Sequence, residues 1–512
     1  PRARLRFSEP GGVVAAGRPA AFLLDVHNTT AQPLATELRV VDRQGQTLHT
    51  AACEVACHES RRFESPAPEL PPGLYEVQLR VQDGRRVLLY RSLPFAVLPQ
   101  LPPRAPLACD LGVDLGQWRR ADPQGAVQLV SELGSGAAKI GVPMIGPVDT
   151  EAKAAYMDEI GRVTRDLIDR HVQMTGVLVV PEAEQDALAG TTTGRLLASP
   201  TDGTARFGPV LAYLGGLLTS WQLGQEPDET RNPTSWPPET LSLLRVKLRR
   251  FVTDPELVLP FSALDSPSLL SPPGTAGPPQ ATSIYVPAGV PTSALVEQLA
   301  FLTPRSTGEQ QAAQAVPAPR WLLLETSDAG VARDWHLVDL ARRIVLAKAL
   351  GPDRLYVPAP FGQTMYAGGG PTWYPKDEYF IARTLFHFLA GQEAAAVMAF
   401  PEVSGMAIAF HSHARTCLVA WTWSDEPPAE RLGLYLGPAP VMTDLWGRRT
   451  PLEVKDGRAQ VPLTPMPIIV HELDAPLALL QASFTVEPTF VQLHDPEPRP
   501  VLRLRNYYDR DL

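Results

Sequence analysis

Over residues 1–99, apolar and polar positions alternate in short bursts. AAFLLDVHN, ATELRVVD, LYEVQLRVQ and RVLLYRSLPFAVL alternate or run apolar, and NTTAQP, RQGQ, PPG and DGR separate them. Period-two alternation broken by turn residues predicts strands with one buried face, hence an N-terminal immunoglobulin-like β-sandwich.

The period then changes. A stiff linker, LPQLPPRAPL, precedes a region where short apolar runs alternate with helical stripes. The runs are CDLGVDL (109–115), AAKIGVPM (137–144), GVLVVP (176–181), SWQLGQE (220–226), ELVLPFSA (256–263), SIYVP (283–287), RWLLLE (320–325) and RLYVPAP (354–360). Among the stripes, HLVDLARRIVLAKAL aligns Leu337, Leu340, Ile344 and Ala347, and Gly351-Pro352 stops the helix. Eight strands with right-handed helical crossovers predict a (β/α)8 TIM barrel over 105–402. One crossover is defective, because DSPSLLSPPGTAGPPQAT holds no more than a turn of helix. The competing open doubly wound sheet is disfavoured by the lack of a Gly-rich turn after the first strand.

From MAIAFHSHARTCLVAWTW onward short strands return, which predicts a C-terminal β-sandwich over 403–475. Residues 476–512 read as an extension or the start of a further β-domain.

Composition narrows the class. With 44% hydrophobic and 20% charged residues in 512, the chain has a globular balance, and length alone calls for several domains. A net charge of −9 without a Lys/Arg run argues against nucleic acid. No apolar stretch is long enough for a membrane helix. The sequence opens at Pro1, so a signal peptide cannot be read from it. Of the four cysteines only Cys53 and Cys57 are near enough to bridge, and only if a turn rather than a strand separates them. His411, His413 and Cys417 share a strand pattern, read as a half-exposed strand rather than a metal site. No cofactor is expected.

A TIM barrel presents its reactive side chains at the C-terminal ends of its strands. Glu226 ends strand four and Glu325 ends strand seven, across the barrel mouth from each other. Retaining glycoside hydrolysis needs such a pair, one acid and one nucleophile about 5 Å apart.

Trp221-Gln222-Leu223-Gly224-Gln225-Glu226-Pro227 resembles the W-x-x-G-N-E-P motif of the large clan of retaining (β/α)8 glycoside hydrolases that includes cellulases, β-mannanases, β-galactosidases and β-xylosidases. The resemblance spans about 105–475 and is specific at strand four. It implies Glu226 as acid/base and Glu325, in LLLETSDAG, as nucleophile. It also implies Tyr285 as a hydrogen-bond donor to that nucleophile, and an extracellular or periplasmic enzyme. The sequence departs from the clan at two positions. Gln225 replaces the Asn that contacts the sugar 2-hydroxyl, and Lys139 replaces the Arg expected under the nucleophile; an ammonium cannot make the planar fork of a guanidinium.

Chemically, Glu226 is expected in an apolar rim, which suits an acid, and Glu325 beside Tyr285 and Lys139, which suits an ionised nucleophile. Asp328 competes with Glu325 for that role, and Asp114 and Glu182 are candidates for minor ones. Trp118, Trp236, Trp335, Tyr366, Trp373 and Tyr374 follow barrel strands, and flat aromatic faces match pyranose rings. The expected partner is an oligo- or polysaccharide, with further β-domains or an envelope assembly as other candidates. The alternative function is a non-catalytic glycan-binding or scaffold protein built on a degenerate barrel.

Overall fold

The computed structural model describes residues 1–102, 108–118, 122–143, 150–179, 202–226, 238–263, 281–295, 320–326, 333–364, 372–413, 415–426, 431–482, 484–487 and 501–504. Trp236, Asp328, Glu182, Tyr366 and the defective crossover up to residue 280 lie outside the described residues.

The N-terminal region is two facing sheets. One contains β1 (Arg2–Phe7), β3 (Ala21–His27) and β6 (Ser60–Pro66); the other contains β2 (Val13–Ala15), β4 (Leu34–Val41), β5 (Thr47–Val55), β7 (Gly73–Asp83) and β8 (Arg86–Leu98). Phe22, Leu24 and Val26 meet Leu38, Val77, Leu79 and Phe95 in one core, so the alternate positions of each strand do point inward. Cys53 and Cys57 are both free: β5 stays extended through Cys53, and extended backbone holds the two apart.

The eight runs form a closed parallel barrel. Its strands are β9 (Leu111–Gln117), β10 (Ala137–Pro143), β11 (Gln173–Val179), β12 (Ser220–Leu223), β13 (Glu256–Ser262), β14 (Ala281–Val286), β15 (Arg320–Leu324) and β16 (Arg354–Pro358), with β16 closing on β9. The described helices around it are α1 (Pro123–Leu133), α2 (Glu151–Asp169), α3 (Asp202–Leu214), α4 (Pro238–Leu248), α5 (Arg333–Ala349) and α6 (Asp377–Leu389). Asp122 and Thr150 cap the first two through their side chains. One face of each strand packs on helices, and the other fills the barrel with Ala137, Val258, Ala281, Tyr285, Trp321, Leu323 and Tyr356. Gly112 makes room for one of these rings, since a Cβ there would lie 2.7 Å from Tyr356.

A short hairpin, β17 (Phe361–Thr364) with β18 (Thr372–Pro375), follows the barrel and packs toward β8. The C-terminal region begins earlier than the sequence suggests. The strand β19 (Glu393–Phe400), preceding residue 403, pairs antiparallel with β20 (Gly405–Ser412) and β20 with β21 (Arg415–Thr422). Apolarity alone does not separate β19 from a barrel segment; its hairpin partner does. The helix Ala475–Ala482 belongs to the same unit, burying Ala478, Leu479 and Ala482 in its core. Beyond it, Phe484–Glu487 pairs with Val501–Leu504.

Candidate active site

Strand alternation brings Asp114, Lys139, Gln222, Ser283, Tyr285 and Glu325 to the inner face of the barrel, with Lys139 opposite Asp114 and Tyr285 opposite Leu323 in register. Glu226 joins them because Gly224, at φ 102°, turns the chain just after β12.

Glu226 is fully surrounded by donors. Its Oε1 accepts from Lys139 Nζ at 3.0 Å and Ser283 Oγ at 2.7 Å, and its Oε2 accepts from Gln222 Nε2 at 2.7 Å. Lys139 Nζ also donates to Ser283 Oγ at 2.8 Å and lies 4.7 Å from the centre of the Tyr356 ring. Gln222 Nε2 donates to Gly224 O as well, at 2.8 Å, which fixes the amide with its NH2 toward Glu226. The carboxyl is therefore an acceptor at both oxygens. Its side chain is 1% exposed and that of Lys139 is 0%.

Two expectations are corrected here. Glu226 is not in an apolar rim, and Lys139 pairs with Glu226; among the described residues no hydrogen bond or ion pair joins Lys139 to Glu325. The physical reason is reach: a straight ammonium chain crosses the lumen to the Ser283 hydroxyl and the Glu226 carboxylate.

Glu325 differs in setting. It is only half-buried, and its Oε2 accepts from the Ala288 N–H at 2.9 Å. The Tyr285 phenol is held well above the usual range, first by burial, then by its interaction with Glu325 and by the charge of Glu226. Tyr285 thus feels both carboxylates. Asp114, half-buried, is pushed up to about 6 by burial, against the opposing pull of Lys139; Glu226 pushes in the same direction as burial, and the Gly116 N–H in the opposite one. Gln225 is half-buried.

The aromatic candidates disperse. Trp118 and Trp373 are core side chains, 2% and 8% exposed, tilted against each other at 5.8 Å, and Phe361 meets Trp373 edge-on. Trp118 also donates its indole N–H to Glu159 on α2. Neither presents a free face for a sugar, because their rings are packed on each other and on Phe361 where β18 meets β8 and α1. Tyr374, half-buried, lies over Gly362. Trp335 stands on α5 near Arg342, 6.0 Å from its guanidinium carbon.

Sequence reading missed Ser283, Gln222 and Arg343. Ser283 is two residues before Tyr285 and so shares its face, a signal that was available. Among the described residues no group of His, Cys, Asp and Glu is arranged to hold a metal.

No protein-family model and no curated protein matches the sequence. Solved structures do match in fold. A family 39 glycoside hydrolase from Bacteroides cellulosilyticus superposes with TM-score 0.53 at 14% identity, covering 91% of this chain and 100% of the other. A family 30 endoxylanase from Clostridium papyrosolvens gives TM-score 0.48 at 11% identity, covering 72% of this chain and 97% of the other. The chain has the multidomain fold of (β/α)8 glycoside hydrolases, a central barrel with accompanying β-sheets.

Proposed function

We propose that the protein is a retaining glycoside hydrolase acting on a β-linked oligo- or polysaccharide, in an extracellular or periplasmic setting. Glu325 attacks the anomeric carbon as the glycosidic C–O bond breaks, and the leaving oxygen takes its proton from Glu226. Glu226, now a carboxylate, removes a proton from water as that water attacks the glycosyl ester, which restores Glu325 and retains the anomeric configuration. The observation that carries this reading is Tyr285, whose phenol is pushed up by both Glu325 and Glu226, as two carboxylates facing one site would do. Gln225 and Tyr374 are proposed contacts to the sugar. A panel of aryl β-glycosides, with product anomers followed by NMR, tests the reading. Turnover with retention, lost in Glu325→Gln, supports it; an inverted product or a fully active Glu325→Gln overturns it.

A second reading, a glycan-binding barrel without catalysis, has one specific observation in its favour. The Glu226 carboxylate is covered and its oxygens are already occupied by Lys139, Ser283 and Gln222. Saturable glycan binding with no turnover anywhere in the panel is its signature.

A further inference from the structure

We propose that Arg343 is a positioning residue, clamping the turn after β14 so that one peptide plane aims its N–H at Glu325. The inference rests on the reading of Glu325 as nucleophile.

Arg343 projects from α5 into the protein and is 1% exposed. Its Nη1 donates to Val290 O at 2.6 Å and to Ala288 O at 3.4 Å, and its Nη2 donates to Pro287 O at 2.7 Å and Val286 O at 3.1 Å. Its carboxylate neighbour on the helix, Asp339, is 3.9 Å from Nε. A buried guanidinium is thus used almost wholly on the carbonyls of a single turn, although burying a cation is costly and an apolar side chain would fill the volume more cheaply.

The geometry of that turn gives the reason. Pro287 C=O and Ala288 N–H belong to the same peptide unit, which is rigid and planar, with the two groups pointing in opposite directions. Arg343 holds the oxygen end at 2.7 Å, and the nitrogen end donates to Glu325 Oε2 at 2.9 Å. Polarising the carbonyl also strengthens the N–H as a donor. Val286 O, gripped by the same guanidinium, accepts from the Glu325 backbone N–H at 3.0 Å, so the backbone of the nucleophile is tied to the same clamp.

The neighbouring Arg342 is a built-in control. It turns the other way, donating to Thr422 O at 2.9 Å and Pro465 O at 2.8 Å with Trp423 at 4.9 Å, and fastens α5 to the C-terminal region.

The test uses the full chain and its Arg343→Lys, Arg342→Lys and Glu325→Gln variants. Hydrogen exchange over 286–291 is read by mass spectrometry, and kcat and KM are measured on an activated aryl glycoside. Arg343→Lys keeps the charge but loses the fork, so exchange over the turn is expected to rise about tenfold. With it, kcat is expected to fall roughly tenfold or more at little-changed KM, because a displaced nucleophile weakens the transition state more than binding. Arg342→Lys leaves both at wild-type values. Unchanged exchange in Arg343→Lys overturns the clamp, and faster exchange with undiminished kcat overturns its role in positioning. If Arg343→Lys does not fold, Glu325→Gln decides: slow exchange over the turn means that Arg343 holds it, whereas fast exchange means that Glu325 does and reverses the proposal. A wild-type protein that turns over no glycoside defeats the hydrolase reading, while the exchange results still decide the clamp.

Discussion

Lys139 Nζ lies 3.0 Å from Glu226 Oε1, with neither side chain exposed to solvent. The cation of the second barrel strand is thus committed to the carboxylate of the fourth. The Arg343 guanidinium and the Tyr285 phenol serve the seventh-strand side of the site instead.

Removing one member of this pair strands the other. Lys139→Met is expected to lower folding stability by about 3–5 kcal/mol, since it leaves a buried carboxylate without its cation. The double variant Lys139→Met with Glu226→Met should lose clearly less than the sum of the two single losses. Denaturant unfolding of all four proteins measures the coupling; strictly additive losses would show that the pair is not coupled.

The same arrangement bears on substrate choice. A carboxyl whose two oxygens are taken by Lys139, Ser283 and Gln222 must give up one of those contacts to reach a glycosidic oxygen. Aryl glycosides whose phenol leaves unaided are therefore expected to react far faster than alkyl glycosides. In Glu226→Ala they should still give a burst, with azide restoring turnover by entering the vacated space. A rate independent of leaving group in the wild type contradicts this.

Much of the barrel was legible in the sequence because each strand is a short apolar run bounded by breakers, and all eight runs are barrel strands. Glu226 and Glu325 could be found because they stand where such runs end. What surrounds them could not. Arg343 sits in a helix whose apolar stripe is plain in the sequence, yet periodicity alone does not say that a charged residue beside that stripe also faces inward. The doublet Arg342-Arg343 amid apolar neighbours was the available sign. Trp118 and Trp373 were misplaced for a related reason: the hairpin that buries them pairs residues whose contact no local pattern encodes.

Trp118→Ala is consequently expected to cost about 3–5 kcal/mol of stability through the cavity it leaves against Trp373 and Phe361. Glycan affinity, measured by calorimetry where the variant remains folded, should be unchanged. A loss of affinity without a loss of stability would return Trp118 to the sugar site.

Asp114 supplies a pH dependence. Its carboxyl is raised from 3.8 to about 6, so between those values the folded chain holds a proton that the unfolded chain has lost, and the group's contribution to stability falls as pH rises through the window. Asp114→Asn should therefore raise the melting temperature at about pH 7.5, with the gain disappearing by about pH 4. A gain that is constant with pH would remove the burial effect as its cause.

The central claim is that Glu325 forms a covalent bond to the sugar. The direct measurement is mass mapping of the protein after incubation with activated 2-deoxy-2-fluoro-β-glycosides, whose fluorine slows release of the glycosyl-enzyme. The account predicts one sugar per chain, attached within LLLETSDAG at Glu325 and absent from Glu325→Gln. Attachment at Asp328, Glu226 or any other carboxylate, or turnover of the parent glycosides with no adduct formed, would contradict it.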